Sequence, residues 1–185
     1  VVDQWGNAVS VTTTINLGYG NGCIVDGAGF FLNNEMDDFS SKPGVPNAFG
    51  LVGNEANAIQ PEKRPLSSMT PTIVLKNDKP FLIIGSPGGS TIITTTMQTI
   101  LNVIDHNMDI KEAVCSARFH SQWLPDVIQF EPNSLTKDVR INLESKGHKL
   151  FPRSGFIGEA NGILITEDGF YGGGDCRGQT SAIGY

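Results

Sequence analysis

Apolar positions in this chain fall into three kinds of pattern. Alternation comes first: Val9, Val11 and Thr13 share one face of a segment from Ala8 to Asn16, and Val1-Val2 precedes it across the turn Asp3-Gln4-Trp5-Gly6-Asn7. This predicts a hairpin whose first strand ends at Val2 and whose second runs from Ala8 to Asn16. The first strand is shorter than its partner, so several residues are expected upstream of Val1. Near-continuous apolar runs follow, Pro71 to Lys76 and Pro80 to Ser86 around Asn77-Asp78, and they predict a second hairpin in a sheet buried on both faces. Helical spacing then appears at Ile93, Met97, Ile100, Leu101 and Ile104, predicting a buried helix over Ser90 to Ile104, although its β-branched threonines are poor helix formers that packing must override.

Two further amphipathic helices are predicted over Asp109 to Ser116 and Ser134 to Lys146, the second with Leu135, Val139 and Leu143 on one face, Ser134 as N-cap and Gly147 as its stop. Late strands are expected at Val127 to Phe130, Gly162 to Thr166 and Phe170 to Gly172, the last two joined at Glu167-Asp168-Gly169. Between Leu17 and Pro65 periodicity fades and Gly, Asn, Asp and Pro dominate, apart from Phe30-Phe31-Leu32. Structureless stretches of that length in a compact domain are usually functional. Strands, helices, then strands again imply an α+β class.

Composition narrows the field. The length, 185 residues, fits one domain, able to bury about 70% of the surface its unfolded chain would expose. A net charge of −6 spread along the chain gives no reason to expect nucleic acid. The longest clean apolar run, Phe81 to Ile84, is far below the ~18 residues of a membrane span. Val1-Val2-Asp3 has neither an initiator Met nor the regions of a signal peptide, so the chain is expected to be cut from something longer. Cys23, Cys115 and Cys176 are odd in number and contain no CxxC pair, and they are read as buried thiols. The histidines, His106, His120 and His148, form no HExxH, so no metal site is expected.

Four segments could carry chemistry. Ser86-Pro87-Gly88-Gly89-Ser90 joins a buried strand to a helix, where unpaired amides and the helix dipole suit an anion; a tight turn that merely needs glycine would look the same. Asn33-Asn34-Glu35-Met36-Asp37-Asp38-Phe39 gathers three carboxylates and two amides, enough to hold an ammonium group, or else forms a solvated acidic turn; EF-hand spacing is not met. Ser67 and Ser68, in Arg64-Pro65-Leu66-Ser67-Ser68-Met69, suit a carboxylate ligand or a turn cap, and no GxSxG surrounds them. Thr12-Thr13-Thr14 and Asn16 sit on the first hairpin, where β-formers need no function.

Together these segments resemble the γ-glutamyltransferase family along essentially the whole chain. The resemblance rests on Asn33 to Phe39 followed by Ser41 to Asn47, on Lys63 to Met69, on Gly85 to Ser90, and on Arg118-Phe119-His120 with Gln122-Trp123-Leu124-Pro125. It implies a four-layer αββα sandwich of the N-terminal nucleophile hydrolase type, in which residues 1–185 form the small subunit, one half of a catalytic domain completed by a large subunit from the same precursor. Self-cleavage would expose a threonine that acts as both nucleophile and base. That threonine is expected about five residues before Val1 and is not among the residues given; Thr12 to Thr14 cannot replace it, having no free α-amine.

By the same resemblance Thr14 hydrogen-bonds the nucleophile, and the amides of Gly88 and Gly89 hold the oxyanion. Asn16, Glu35 and Asp38 bind the substrate's α-amino end, and Ser67 with Ser68 the α-carboxylate. Pro43 to Asn54 forms a lid with Phe49 at its tip, where many members carry tyrosine. Substrates would be glutathione and other γ-glutamyl amides, with water, amino acids or peptides as acceptors, no cofactor or metal, and a periplasmic or secreted location. Two other readings stand beside this one: a cephalosporin-acylase-like amidase of the same superfamily, and a non-catalytic subunit that binds amino acids.

Overall fold

The computed structural model describes residues 1–184, and the chain divides into two compact units, Thr13–Ser68 and Val1–Thr12 with the residues from Met69 onward. In the larger unit, β1 (Thr72–Lys76) and β2 (Lys79–Gly85) form the expected hairpin. Asn77 and Asp78 both take positive φ, 53° and 62°, the conformation that a two-residue turn between twisted strands requires. A 3₁₀ turn over Gly89–Thr91 leads into α1 (Ile92–Ile104), followed by α2 (Ile110–Cys115), β3 (Phe119–Gln122), β4 (Val127–Phe130), α3 (Lys137–Ser145), β5 (Leu150–Pro152), β6 (Asn161–Thr166) and β7 (Gly169–Gly174). One sheet is antiparallel in the order β1-β2-β6-β7; a smaller one has the order β3-β4-β5, with β4 and β5 parallel. The α+β class is as expected.

The core gathers Leu82 and Ile84 of β2, Val103 of α1, Ile110, Ala113 and Val114 of α2, and Ala160. Helix α2 is short, and a capping box fixes its start: Asp109 accepts from the Glu112 amide while the Glu112 side chain accepts from the Asp109 amide. Gly147, at φ 90°, ends α3 where the sequence places its stop, although the N-cap is Thr136 rather than Ser134. No residue of α3 is fully buried, so its amphipathic face is only half covered within this chain.

Several expectations need correction. Ala8 to Asn16 does not form a strand: the hairpin consists of a bridge between Val2 and Ala8, bonds exchanged between the backbones of Val1 and Val9, and a bond from the Asp3 amide to the Asn7 carbonyl. Strand β1 is not buried on both faces, because Ile73 and Leu75 are exposed at the sheet edge. On α1 the apolar stripe of Ile93, Met97, Leu101 and Ile104 is exposed, while Thr95, Thr96 and Thr99 are buried against the rest of the unit. Finally, Cys115 and Cys176, 61 residues apart, form a disulfide and Cys23 is exposed, so none of the three is a buried thiol.

The smaller unit is built from turns rather than ladders, as its composition implies. Its regular pieces are 3₁₀ turns at Glu35–Asp38 and Glu55–Asn57 and single bridges at Ile24–Phe31, Ser40–Ala58 and Pro46–Val52.

Candidate active site

In the smaller unit several of the polar residues singled out in the sequence are joined by hydrogen bonds. Asn16 stands at φ 73°, a left-handed conformation that asparagine tolerates better than most residues, with its amide bonded to Thr14 Oγ1 at 2.7 Å. Its Nδ2 donates to the Asn34 carbonyl at 3.1 Å, and Asn34 Oδ1 in turn accepts from the Leu17 amide at 3.0 Å. The strip 14–17 is thereby tied to the start of the acidic turn. Asn34 was not singled out for this role; its only local signal is its place at the N-cap of that turn.

Within the turn, Ser68 Oγ donates to Asp38 Oδ1 at 2.9 Å. Asn57 Nδ2 donates to the Asp38 carbonyl at 2.7 Å and Asn57 Oδ1 accepts from the Leu66 amide at 3.0 Å, so Asn57 holds the serine segment beside the acids. Ser67 is the exposed neighbour of Ser68. Burial, a hydrogen bond between the two carboxyls and the charge of Asp38, in that order, raise the Glu35 pKa above the ordinary glutamate value. Glu35 Oε1 is buried without a hydrogen-bond partner among the described residues. A half-buried glutamate with a second carboxylate beside it forms a site that gains from a nearby cation.

The proposed lid residue belongs to a narrow loop. The Gly44 amide bonds to the Gly53 carbonyl, and Asn47 caps the tip by accepting from the amides of Phe49 and Leu51. Asp37 Oδ2 accepts from the Ala48 amide at 3.1 Å, joining the tip to the acidic turn.

Gly88 and Gly89 lie in the larger unit, at the junction of β2 and α1, with φ 141° and 56°. At Gly88 a side chain is excluded on two counts: the backbone is one that L-residues rarely adopt, and a Cβ would stand 2.6 Å from Thr91 Oγ1 and 3.2 Å from Gly158 Cα. The Thr91 amide and hydroxyl both donate to the Gly88 carbonyl oxygen, at 3.1 and 2.8 Å. The first amides of a helix lack intrahelical acceptors, a general feature that suits a turn of this kind to an anion.

The gamma-glutamyltranspeptidase family model matches residues 1–185. The chain belongs to this family. It is 50% identical over 178 residues, 96% of its length, to the glutathione hydrolase proenzyme of Escherichia coli strain K12. The structure of a threonine-to-alanine mutant of the Helicobacter pylori gamma-glutamyltranspeptidase matches with a TM-score of 0.92 and 57% identity, covering 96% of this chain and 97% of that one. A cephalosporin acylase from Bacillus halodurans is more distant, with a TM-score of 0.74 and 27% identity over 89% of this chain and 29% of that one. These gamma-glutamyltranspeptidase relationships carry the N-terminal nucleophile hydrolase fold with them. The chain spans about a third of the length of the curated relatives it matches (30%, 34% and 32%).

Proposed function

We propose that this chain is the small-subunit half of a γ-glutamyl hydrolase and transferase, assembled with a large subunit from the same precursor. The observation that carries the reading is the pairing of Glu35 with Asp38 beside Ser68, a combination of acids and hydroxyl suited to the α-amino and α-carboxylate ends of a glutamyl group. Family membership supports it. The exposed apolar stripe on α1, with Ile73 and Leu75 on β1, supports a partner chain that covers them and completes the four-layer sandwich.

In this mechanism a threonine exposed by cleavage, about five residues ahead of Val1, attacks the γ-glutamyl carbonyl. Its own α-amine, with an ordinary pKa of about 8, takes the hydroxyl proton. The amides of Gly88 and Gly89 stabilise the oxyanion; loss of one such donor commonly costs about 10²–10³ in rate. The C–N bond then breaks, the leaving amine takes the proton, and an ester remains. Water releases glutamate from it, and an amino acid or peptide amine yields a new γ-glutamyl compound. Thr14 orients the nucleophile, Asn16, Glu35 and Asp38 hold the substrate ammonium, Ser67 and Ser68 its carboxylate, and Phe49 gates entry. Glutathione is a substrate of this class, and no step calls for a cofactor. A periplasmic or secreted location fits the Cys115–Cys176 disulfide, which persists best in an oxidising compartment.

Asp38→Ala tests the reading against an amidase whose acyl group lacks an ammonium. A hydrogen bond to a charged group contributes about 1.5–3 kcal/mol, so KM for γ-glutamyl substrates should rise roughly 10- to 100-fold. An unchanged KM would favour the acylase-like alternative.

A further inference from the structure

Four charged side chains that the proposed mechanism does not use are sealed inside the larger unit. Arg118 bonds Asp175 at 2.7 Å, and Arg177 bonds both Glu131 at 2.6 Å and Asp175 at 2.9 Å, all with side chains less than a tenth exposed. This cluster grips one loop from both ends. Arg118 Nη1 donates to the Ile157 carbonyl at 2.7 Å, the Ile157 amide donates to Glu131 Oε1 at 2.6 Å, and the Ala160 amide donates to Asp175 Oδ2 at 2.7 Å. Between those anchors the Glu159 amide donates to Ser86 Oγ at 3.0 Å, and the Gly158 backbone lies directly behind Gly88. The loop is therefore the backing of the Ser86–Gly89 turn.

The Cys115–Cys176 disulfide enters this arrangement at its centre. Cys176 stands between Asp175 and Arg177, and Cys115 closes α2, whose Val114 carbonyl accepts from both Arg118 and Arg177. We propose that the cross-link is a positioning device for the reaction: by fixing Asp175 and Arg177 against the end of α2, it holds the Ile157–Ala160 loop against Gly88 and so sets the direction of the Gly88 and Gly89 amides. Cys115 and Cys176 are positioning residues, acting through the ion cluster rather than on substrate. The inference rests on the proposed role of those amides in holding an oxyanion.

The test uses the processed two-subunit protein made from the full precursor, comparing wild type with the Cys115→Ala/Cys176→Ala variant and with wild type gently reduced by a phosphine. Turnover of a γ-glutamyl anilide should fall about tenfold with KM nearly unchanged, a fraction of the 10²–10³ that follows outright loss of an oxyanion donor. Amide exchange should quicken at residues 88–91 and 157–160 but not in α3, and reoxidation of the reduced protein should restore both readouts. A cross-link that only stabilises the fold would lower Tm and leave turnover and exchange at these segments unchanged; that result overturns the proposal. Alkylation of Cys115 and Cys176 in the native, unreduced protein overturns it as well. Wild-type protein with no γ-glutamyl activity would instead defeat the functional reading, and the exchange measurement alone would then decide the positioning claim.

Discussion

Removing Asp175 should unfold this protein more readily than almost any other single change. Its carboxylate has a fully buried side chain and accepts from Arg118 Nη2, Arg177 Nη1, the Arg177 amide and the Ala160 amide, at 2.7 to 3.0 Å. Arg118, Arg177, Glu131 and Asp175 are balanced two against two, so Asp175→Ala leaves two guanidinium groups sharing one buried acid. Breaking a buried pair from one side costs about 3–5 kcal/mol, a large part of the ~5–15 kcal/mol that holds a domain folded. The assay is urea denaturation of the assembled protein followed by tryptophan emission. A second change, Arg118→Met, should recover part of the loss, because an ion pair replaced from both sides is far less damaging. The pH dependence has a defined sign. Burial opposes ionisation of Asp175, but its bonds to Arg118 and Arg177 and their charges outweigh it and hold the carboxyl below its ordinary range; Glu131 is lowered in the same way by Arg177 and the amides of Ile157 and Arg118. Carboxyls depressed on folding contribute stability above their unfolded pKa of about 4, lost as pH falls through the folded values. Asp175→Ala should therefore flatten the acid limb of the stability curve. A loss below about 1 kcal/mol with an unchanged acid limb would refute the reasoning, since it would mean that the cluster is solvated.

Other outcomes follow from the same structure. Because Glu35 is raised by burial and by Asp38, it holds its proton to higher pH than an ordinary glutamate, and an ammonium ligand favours its release. KM for γ-glutamyl substrates should fall as pH rises through that raised value, and Glu35→Gln should remove the dependence; titration of KM against pH checks both. If Phe49 is the lid tip proposed above, Phe49→Tyr adds a hydroxyl for a bond to Asn16 of about 0.5–1.5 kcal/mol. It should tighten the lid and slow substrate association in stopped-flow measurements, and an unchanged on-rate with an unchanged hydrolysis rate would refute the lid role.

The legible parts of the fold were those with a local cause. Asn77-Asp78 and Glu167-Asp168-Gly169 specify their turns, and the Asp109 and Glu112 side chains bound α2 whatever surrounds them. On α1 the spacing gave the helix but not its inward face, since periodicity cannot say which side meets this chain and which side meets another. The buried charges were hidden for a related reason: Arg118 and Arg177 read as surface residues until Glu131 and Asp175, far apart in sequence, are brought to them. Likewise nothing in the spacing of Cys115 and Cys176 announces a bond across 61 residues. Glu35, Asp38 and Ser68, which the structure brings together, stand out in the sequence through their motifs, whereas Asn34 and Asn57 act through side chains bonded to distant backbone groups, which leaves no pattern along the chain.

The central claim is that a threonine ahead of Val1 forms an ester with the γ-glutamyl group. Brief incubation of the processed protein with a γ-glutamyl substrate, acid quenching and peptide mass mapping tests it most directly. One γ-glutamyl group on the small-subunit N-terminal peptide, at a threonine preceding Val1, is the predicted result; a modification at Ser67 or Ser68, or none in a protein that turns over, would contradict it.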